Sequence, residues 1–187
     1  MTDTCLSIED ISRLTLQVGE DWAIAHAKRL IELVKWIGPD LVYDGQVTEL
    51  AAYLHDWGAF SSYAQKGVEH AVRSRQVVEA ELMPRLDLSA AQRANLLEAI
   101  ELHDYRDPRP PQSTEALLLR EADMLGMARE FARGPKNVET CYRRILSRRE
   151  AIRGRFTLPR AQELARERLE RMDTGLAWLV DESFGVL

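Results

Sequence analysis

Four histidines and two acids stand in positions that packing alone does not explain. His26 lies on an apolar helical face, four residues after Trp22. His55 and Asp56 are adjacent at the end of the apolar run Ala51-Ala52-Tyr53-Leu54. His70 opens one helical segment and His103 closes another. Asp123 sits in Leu119-Arg120-Glu121-Ala122-Asp123-Met124-Leu125, an acid flanked by apolar residues. A bare carboxylate in such surroundings costs several kcal/mol unless its charge is compensated. A bound cation is the simplest compensation for two acids among several imidazoles. Imidazole and carboxylate ligands together suit manganese, iron, zinc, cobalt or nickel. Six such ligands exceed the four of a structural zinc site. They suffice for two ions that share Asp56 and keep positions open for water.

Taken singly, each residue has a plainer reading. A histidine on an apolar stripe is more often a hydrogen-bonded core residue than a ligand. His70 can be a helix-end residue, His103-Asp104 a surface pair, and Asp123 a partner of Arg120 one turn away. The His55-Asp56 doublet is the strongest single feature, because an apolar helix ending in His-Asp-Trp-Gly is hard to justify by packing. Together the six point to a metal centre, since the chain has only 4 histidines and all of them fall in such places.

The elements that must position these residues are helical. Trp22, His26, Leu30, Leu33 and Ile37 form one stripe at spacings of three and four, which predicts a helix over Ile11–Ile37. Further helices are expected near Val47–Trp57 and His70–Met83. Ser89-Ala90-Ala91-Gln92 is a capping-box pattern, so a fourth helix starts there and runs to His103. Ser113 or Thr114 caps a fifth that carries Asp123. A sixth spans Asn137–Ile152, and the last begins near Pro159, a residue suited to the first helical turn. Its stripe is Ala161, Ala165, Leu169, Met172, Leu176 and Leu179, with Gly175 weakening its continuity. Breaks fall at Gly38-Pro39, Gly58, Gly67, Pro108, Pro110-Pro111, Gly134-Pro135 and Gly154, and no alternating strand pattern is present. The expected fold is all-α: a single-domain bundle of about six to eight helices over 1–187, with the metal-binding core at about 20–130 and helices 137–187 packing on it.

Bulk properties narrow the classes. With 187 residues, 45% hydrophobic and 29% charged, the chain is globular and long enough to bury a core without disulfides. A formal charge of −5 gives no reason to expect nucleic acid as the main partner. Cys5 and Cys141 match no metal-type spacing and no disulfide scaffold. No apolar run reaches the ~18 residues of a membrane span, and Met1–Asp10 carries no apolar signal core, so no membrane association and a cytoplasmic location are expected. Trp178, Leu179, Val180 and Phe184 form either a homodimer face or a packing element.

The order His26, His55-Asp56, Asp123 on successive helices resembles the HD-domain superfamily of metal-dependent phosphohydrolases. The local sequences Ala25-His26-Ala27, Ala52-Tyr53-Leu54-His55-Asp56 and Glu121-Ala122-Asp123-Met124-Leu125-Gly126 resemble it too, across about Trp22 to Gly126. His70 and His103 fall in the intervals where two-metal members add histidines. The resemblance implies that His26, His55, Asp56 and Asp123 bind the first ion. Asp56 would bridge, and His70 and His103 would bind the second or, at a mononuclear site, face the substrate. It further implies hydrolysis of a nucleotide or other small phosphate ester by metal-activated water. The cofactor would be one or two divalent ions: manganese, iron, cobalt, nickel, zinc or magnesium. Many members carry Gly-Lys after the doublet; here Gly58 is followed by Ala59, and Lys66 is the substitute. Asp56, Glu69 and Lys66 are the catalytic candidates, with Glu69 as general base. Lys66, Arg73, Arg106, Arg109 and Arg120 are the substrate-binding candidates, each within a turn or loop of a ligand. Two other classes stay open: a di-iron oxygenase of the same ligand set that cleaves C–C or C–P bonds, and a non-catalytic metal-binding regulatory module.

Overall fold

The structure, a computed structural model, describes residues 5–128 and 137–183. They hold seven α-helices and no strand, as the periodicities require. The chain divides into two compact units, Met1–Asp123 and Met124–Leu187. All six expected ligands belong to the first.

Helix α1 (Ile8–Ile37) starts at a full capping box, in which Ser7 Oγ accepts from the Asp10 amide and the Asp10 carboxylate accepts from the Ser7 amide. It is broken at Glu20, whose φ of 56° and ψ of −166° are non-helical. The periodicity gave no sign of this break. Its neighbour Gly19 shows the local constraint: a Cβ there would lie 2.5 Å from the Phe60 ring, so that ring rests directly on the α1 backbone. Beyond the break, His26, Leu30, Leu33 and Ile37 are buried as the stripe requires, whereas Trp22 is 39% exposed.

Helix α2 (Gly45–Leu54) is capped by Asp44, whose carboxylate accepts from the Gln46 and Val47 amides. It ends at Leu54, short of the expected Trp57. His55 is its C-cap, Asp56 takes φ −100° and ψ 5°, and a single 3-10 turn follows at Trp57–Ala59. The physical reason lies in where the next polar groups go. The buried Trp57 indole donates to Thr15 Oγ1 at 3.0 Å, and the Gly58 amide donates to Ser74 Oγ at 2.8 Å rather than back into the helix.

Helix α3 (His70–Val77) loosens into a π turn at Val78–Leu82 and a 3-10 turn at Met83–Arg85, so the expected helix to Met83 is regular only over its first half. Pro84 lacks the amide that a continued α-helix needs. Helix α4 (Ala90–Leu102) has the Ser89/Gln92 capping box as read, and α5 (Thr114–Met127) is capped by Ser113 Oγ, which accepts from the Ala116 amide. In this unit α2 packs on α1 and α4, and α3 packs on α4 and the Trp57–Ala59 turn. Leu30, Leu50, Leu54, Trp57, Leu96, Ile100, Leu118 and Leu119 are fully buried.

In the second unit, α6 (Val138–Ile152) is capped by Asn137, and α7 (Pro159–Glu182) begins at its proline and passes Gly175 unbroken. Trp178 is exposed and Leu179 buried. Phe184 and the Gly134-Pro135 break lie outside the described residues. Among the described residues no helix is long and apolar enough to cross a membrane.

Candidate metal centre

Six side chains converge from five segments. His26 comes from the middle of α1, His55 and Asp56 from the turn after α2, His70 from the first residue of α3, His103 from the C-cap of α4, and Asp123 from α5. They form two groups. In the first, His26 Nε2 lies 3.2 Å from His55 Nε2 and 3.2 Å from Asp123 Oδ1, and Asp56 Oδ2 is 3.3 Å from His55 Nε2 and 3.8 Å from His26 Nε2. In the second, His70 Nε2 and His103 Nε2 are 3.0 Å apart, with Asp56 Oδ1 at 3.5 and 3.7 Å from them. Asp56 therefore presents one oxygen to each group.

The histidines are oriented by the helices that carry them. His55 and His103 both follow a helix C-terminus, and each directs Nδ1 at the carbonyl three residues earlier: Ala52 at 3.0 Å and Ile100 at 2.7 Å. That bond fixes Nδ1 as the donor and turns Nε2 inward. Two pairs of facing ring nitrogens, set against carboxylate oxygens, leave lone pairs directed at lone pairs unless a proton or a metal ion lies between them. The charges agree. Burial opposes the charged form of His55, yet Asp56, Asp123 and the Ala52 carbonyl together outweigh it and raise the pKa to about 9. Burial, with the charge of His55, pushes His103 down to about 4. Burial disfavours the ionised forms of Asp56 and Asp123, but the surrounding imidazoles outweigh it and hold both carboxyls below the usual range. The cluster is thus two ionised acids in a buried imidazole cage that calls for positive charge. His26, His55 and Asp123, and likewise His55, Asp56 and His103, bring their donor atoms within 4.8 Å of one another. This donor set fits divalent ions of intermediate softness.

Gly58 holds the second group in register with the first. A Cβ at Gly58 would lie 2.3 Å from the His70 carbonyl oxygen and 2.5 Å from the Ser74 amide. Ser74, fully buried, accepts from the Gly58 amide and donates to the His70 carbonyl at 2.9 Å. The α3 N-terminus is therefore seated directly on the turn that carries the doublet.

The other candidates occupy varied places. Lys66 is exposed in the loop before α3, and Glu69 is the exposed N-cap of α3, 4.0 Å from Arg106. Arg73 Nε donates to the Tyr63 carbonyl at 2.8 Å and pins that loop. Arg109 pairs with Glu101 and Asp107. Arg120 donates to the carbonyls of Leu102, Asp104, Asp107 and Arg109, closing the C-terminus of α4 and the loop after it. Arg106 is exposed and forks onto Asp104, whose Oδ2 is 3.9 Å from His70 Nδ1. Asp104 was not among the sequence candidates, although its adjacency to His103 was a usable signal. The aromatic edge at Trp22, stacked on His26, was missed because its stripe reads as core.

A family model described as the HD domain matches residues 23–128. The chain belongs to the HD-domain family. Its doublet, the leading His26 and the closing Asp123 all lie within the matched span. A solved structure of a predicted HD superfamily hydrolase from an uncultured Thermotogales bacterium is similar to this chain at 25% identity and a TM-score of 0.62. The similarity covers 94% of this HD protein and 90% of that one. No curated protein matches the chain.

Proposed function

We propose that this HD-domain protein is a metal-dependent phosphohydrolase acting on a small phosphate ester, a nucleotide or a comparable molecule. The observation that carries the reading is the division of Asp56 between two ligand groups, one oxygen to each. His26, His55 and Asp123 would hold one ion, His70 and His103 a second, and Asp56 would be shared between them. When bound, such ions supply Lewis acidity toward phosphoryl oxygens and acidify water near pH 7. The protein's part is orientation. The Ala52 and Ile100 carbonyls fix two imidazoles, and Gly58 and Ser74 fix the approach of a third. Arg106 supports phosphate binding best among the cations, because it is exposed and reaches Asp104 beside His70. Glu69, adjacent to His70 in sequence and exposed, is the general-base candidate of this reading. Lys66 adds a solvent-facing charge in the same loop.

The test is elemental analysis of the purified protein followed by a phosphatase screen. Near two ions of manganese, cobalt, nickel, zinc or magnesium per chain, with release of inorganic phosphate from a monoester, is the expected result. Two irons with oxygen-dependent turnover would move the same ligands to oxygenase chemistry. Metal without any turnover would make the protein a regulatory module.

A further inference from the structure

Trp22 departs from its own helix face. The stripe it begins is buried from His26 to Ile37, yet its indole is 39% exposed. One ring face lies against the His26 imidazole, with centroids 5.2 Å apart and planes 20° apart. Phe60 meets the indole edge-on, at 6.3 Å and 82°. Two features of the chain accommodate this arrangement at some cost. Gly19 has no Cβ where one would collide with the Phe60 ring at 2.5 Å, and Glu20 adopts a φ of 56°, the single positive φ at a non-glycine among the described residues. Strain of this kind clusters at functional sites, where the surrounding structure enforces it. Here it falls two residues before an exposed indole and six before a ligand histidine. A packing role alone would favour a smaller apolar residue inside the stripe and an unbroken helix.

We propose that Trp22, flanked by Phe60, is the stacking surface for a planar aromatic group esterified to the substrate phosphate. This rests on the phosphohydrolase reading above and narrows its substrates to aryl or heteroaryl esters, nucleoside monophosphates among them. The indole is backed by His26 and flanked by Phe60, and 39% of its surface stays open to water. Stacking on an aromatic side chain is worth roughly five- to 150-fold by alanine substitution and tolerates any base, because every base has a π face. The site therefore distinguishes an aromatic ester from an aliphatic one and discriminates little among bases.

Adenosine 5′-monophosphate and ribose 5-phosphate make the test, since they share the ribose and its phosphate ester and differ at C1′, adenine in one and a hydroxyl in the other. With metal-loaded protein, kcat/KM for the nucleotide exceeds that for ribose 5-phosphate by roughly five- to 150-fold. Trp22→Phe keeps most of that preference. Trp22→Leu brings the ratio toward one through loss on the nucleotide, with metal content per chain unchanged. Equal losses on both esters, or no preference in the native protein, overturn the proposal, because Trp22 would then only prop His26. Binding is read independently by tryptophan fluorescence: the nucleotide quenches the native protein, ribose 5-phosphate does not, and the quench is absent in Trp22→Phe. If neither ester is hydrolysed but that quench is seen, the stacking surface stands and the phosphohydrolase reading falls. Absence of the quench overturns the stacking surface.

Discussion

Replacing Gly58 by alanine tests whether backbone packing sets the second ligand group. The added Cβ would lie 2.3 Å from the His70 carbonyl oxygen, 2.5 Å from the Ser74 amide and 2.8 Å from Arg73 Cβ. Two of these are backbone atoms, so no side chain can rotate away. The α3 N-terminus must retreat by roughly 1 Å to restore ordinary contact distances. Overpacking of this kind costs about 1–3 kcal/mol. Weakening the buried Gly58–Ser74 hydrogen bond adds about 1–3 kcal/mol, giving a destabilisation of about 2–6 kcal/mol. The effect on metal is larger in kind, because ligand distances tolerate only about ±0.2 Å. His70 moves with the helix it opens, whereas His26, His55 and Asp123 do not depend on that helix. The variant is expected to fall from about two ions per chain to about one, measured by elemental analysis after gel filtration and by calorimetric titration of metal into chelated protein. Two ions retained at native affinity would refute the argument that Gly58 positions His70.

Four further outcomes follow from the geometry. Asp56→Asn is expected to lose both ions while remaining folded, checked by metal content and circular dichroism, because one carboxylate serves both groups. The chelated protein should show a stability maximum near pH 6.5 in thermal melts. His55, raised to about 9 from 6.5, contributes stability below pH 6.5 that is lost as pH rises through 9; His103, lowered to about 4, stays neutral in the fold, so stability falls as the unfolded chain takes up its proton between pH 6.5 and 4. Glu20→Gly should relieve the positive φ and gain about 1 kcal/mol, raising Tm by roughly 2–4 °C with metal content unchanged. Arg120→Ala should lose about 2–3 kcal/mol, a fall in Tm of roughly 4–12 °C, with little change in KM, because its guanidinium holds four carbonyls rather than substrate; a large rise in KM at native Tm would return it to the substrate.

The helices and their starts were legible because local chemistry makes them. Ser89 with Gln92, Asn137 and Pro159 do in the structure what their types dictate at a helix N-terminus. The six side chains that converge were legible as a set, since a histidine ending an apolar stripe is conspicuous wherever the chain goes next. What escaped is governed by contacts distant in sequence. The break at Glu20 depends on Phe60 seated against Gly19, some forty residues apart. The early end of α2 depends on where Trp57 and Gly58 find partners, in α1 and α3. Arg73 and Arg120 read as phosphate ligands because a guanidinium near a histidine suggests one, while the carbonyls they hold are defined only by the folded loops. Trp22 sits at core spacing, and nothing in periodicity distinguishes a residue at the mouth of a site from one beneath it.

Access to water is uneven around the centre. His55 in the first group and His103 in the second are buried, whereas the His70 side chain, at 25% exposed, is the most open of the six. If two ions bind as proposed, one beside His70 would exchange with the medium before one between His26, His55 and Asp123, and a chelator would take it first. Through the shared Asp56 each ion would alter the affinity of the other by the same factor. A metal-starved population would then hold half-loaded molecules, and output would follow the supply of free metal.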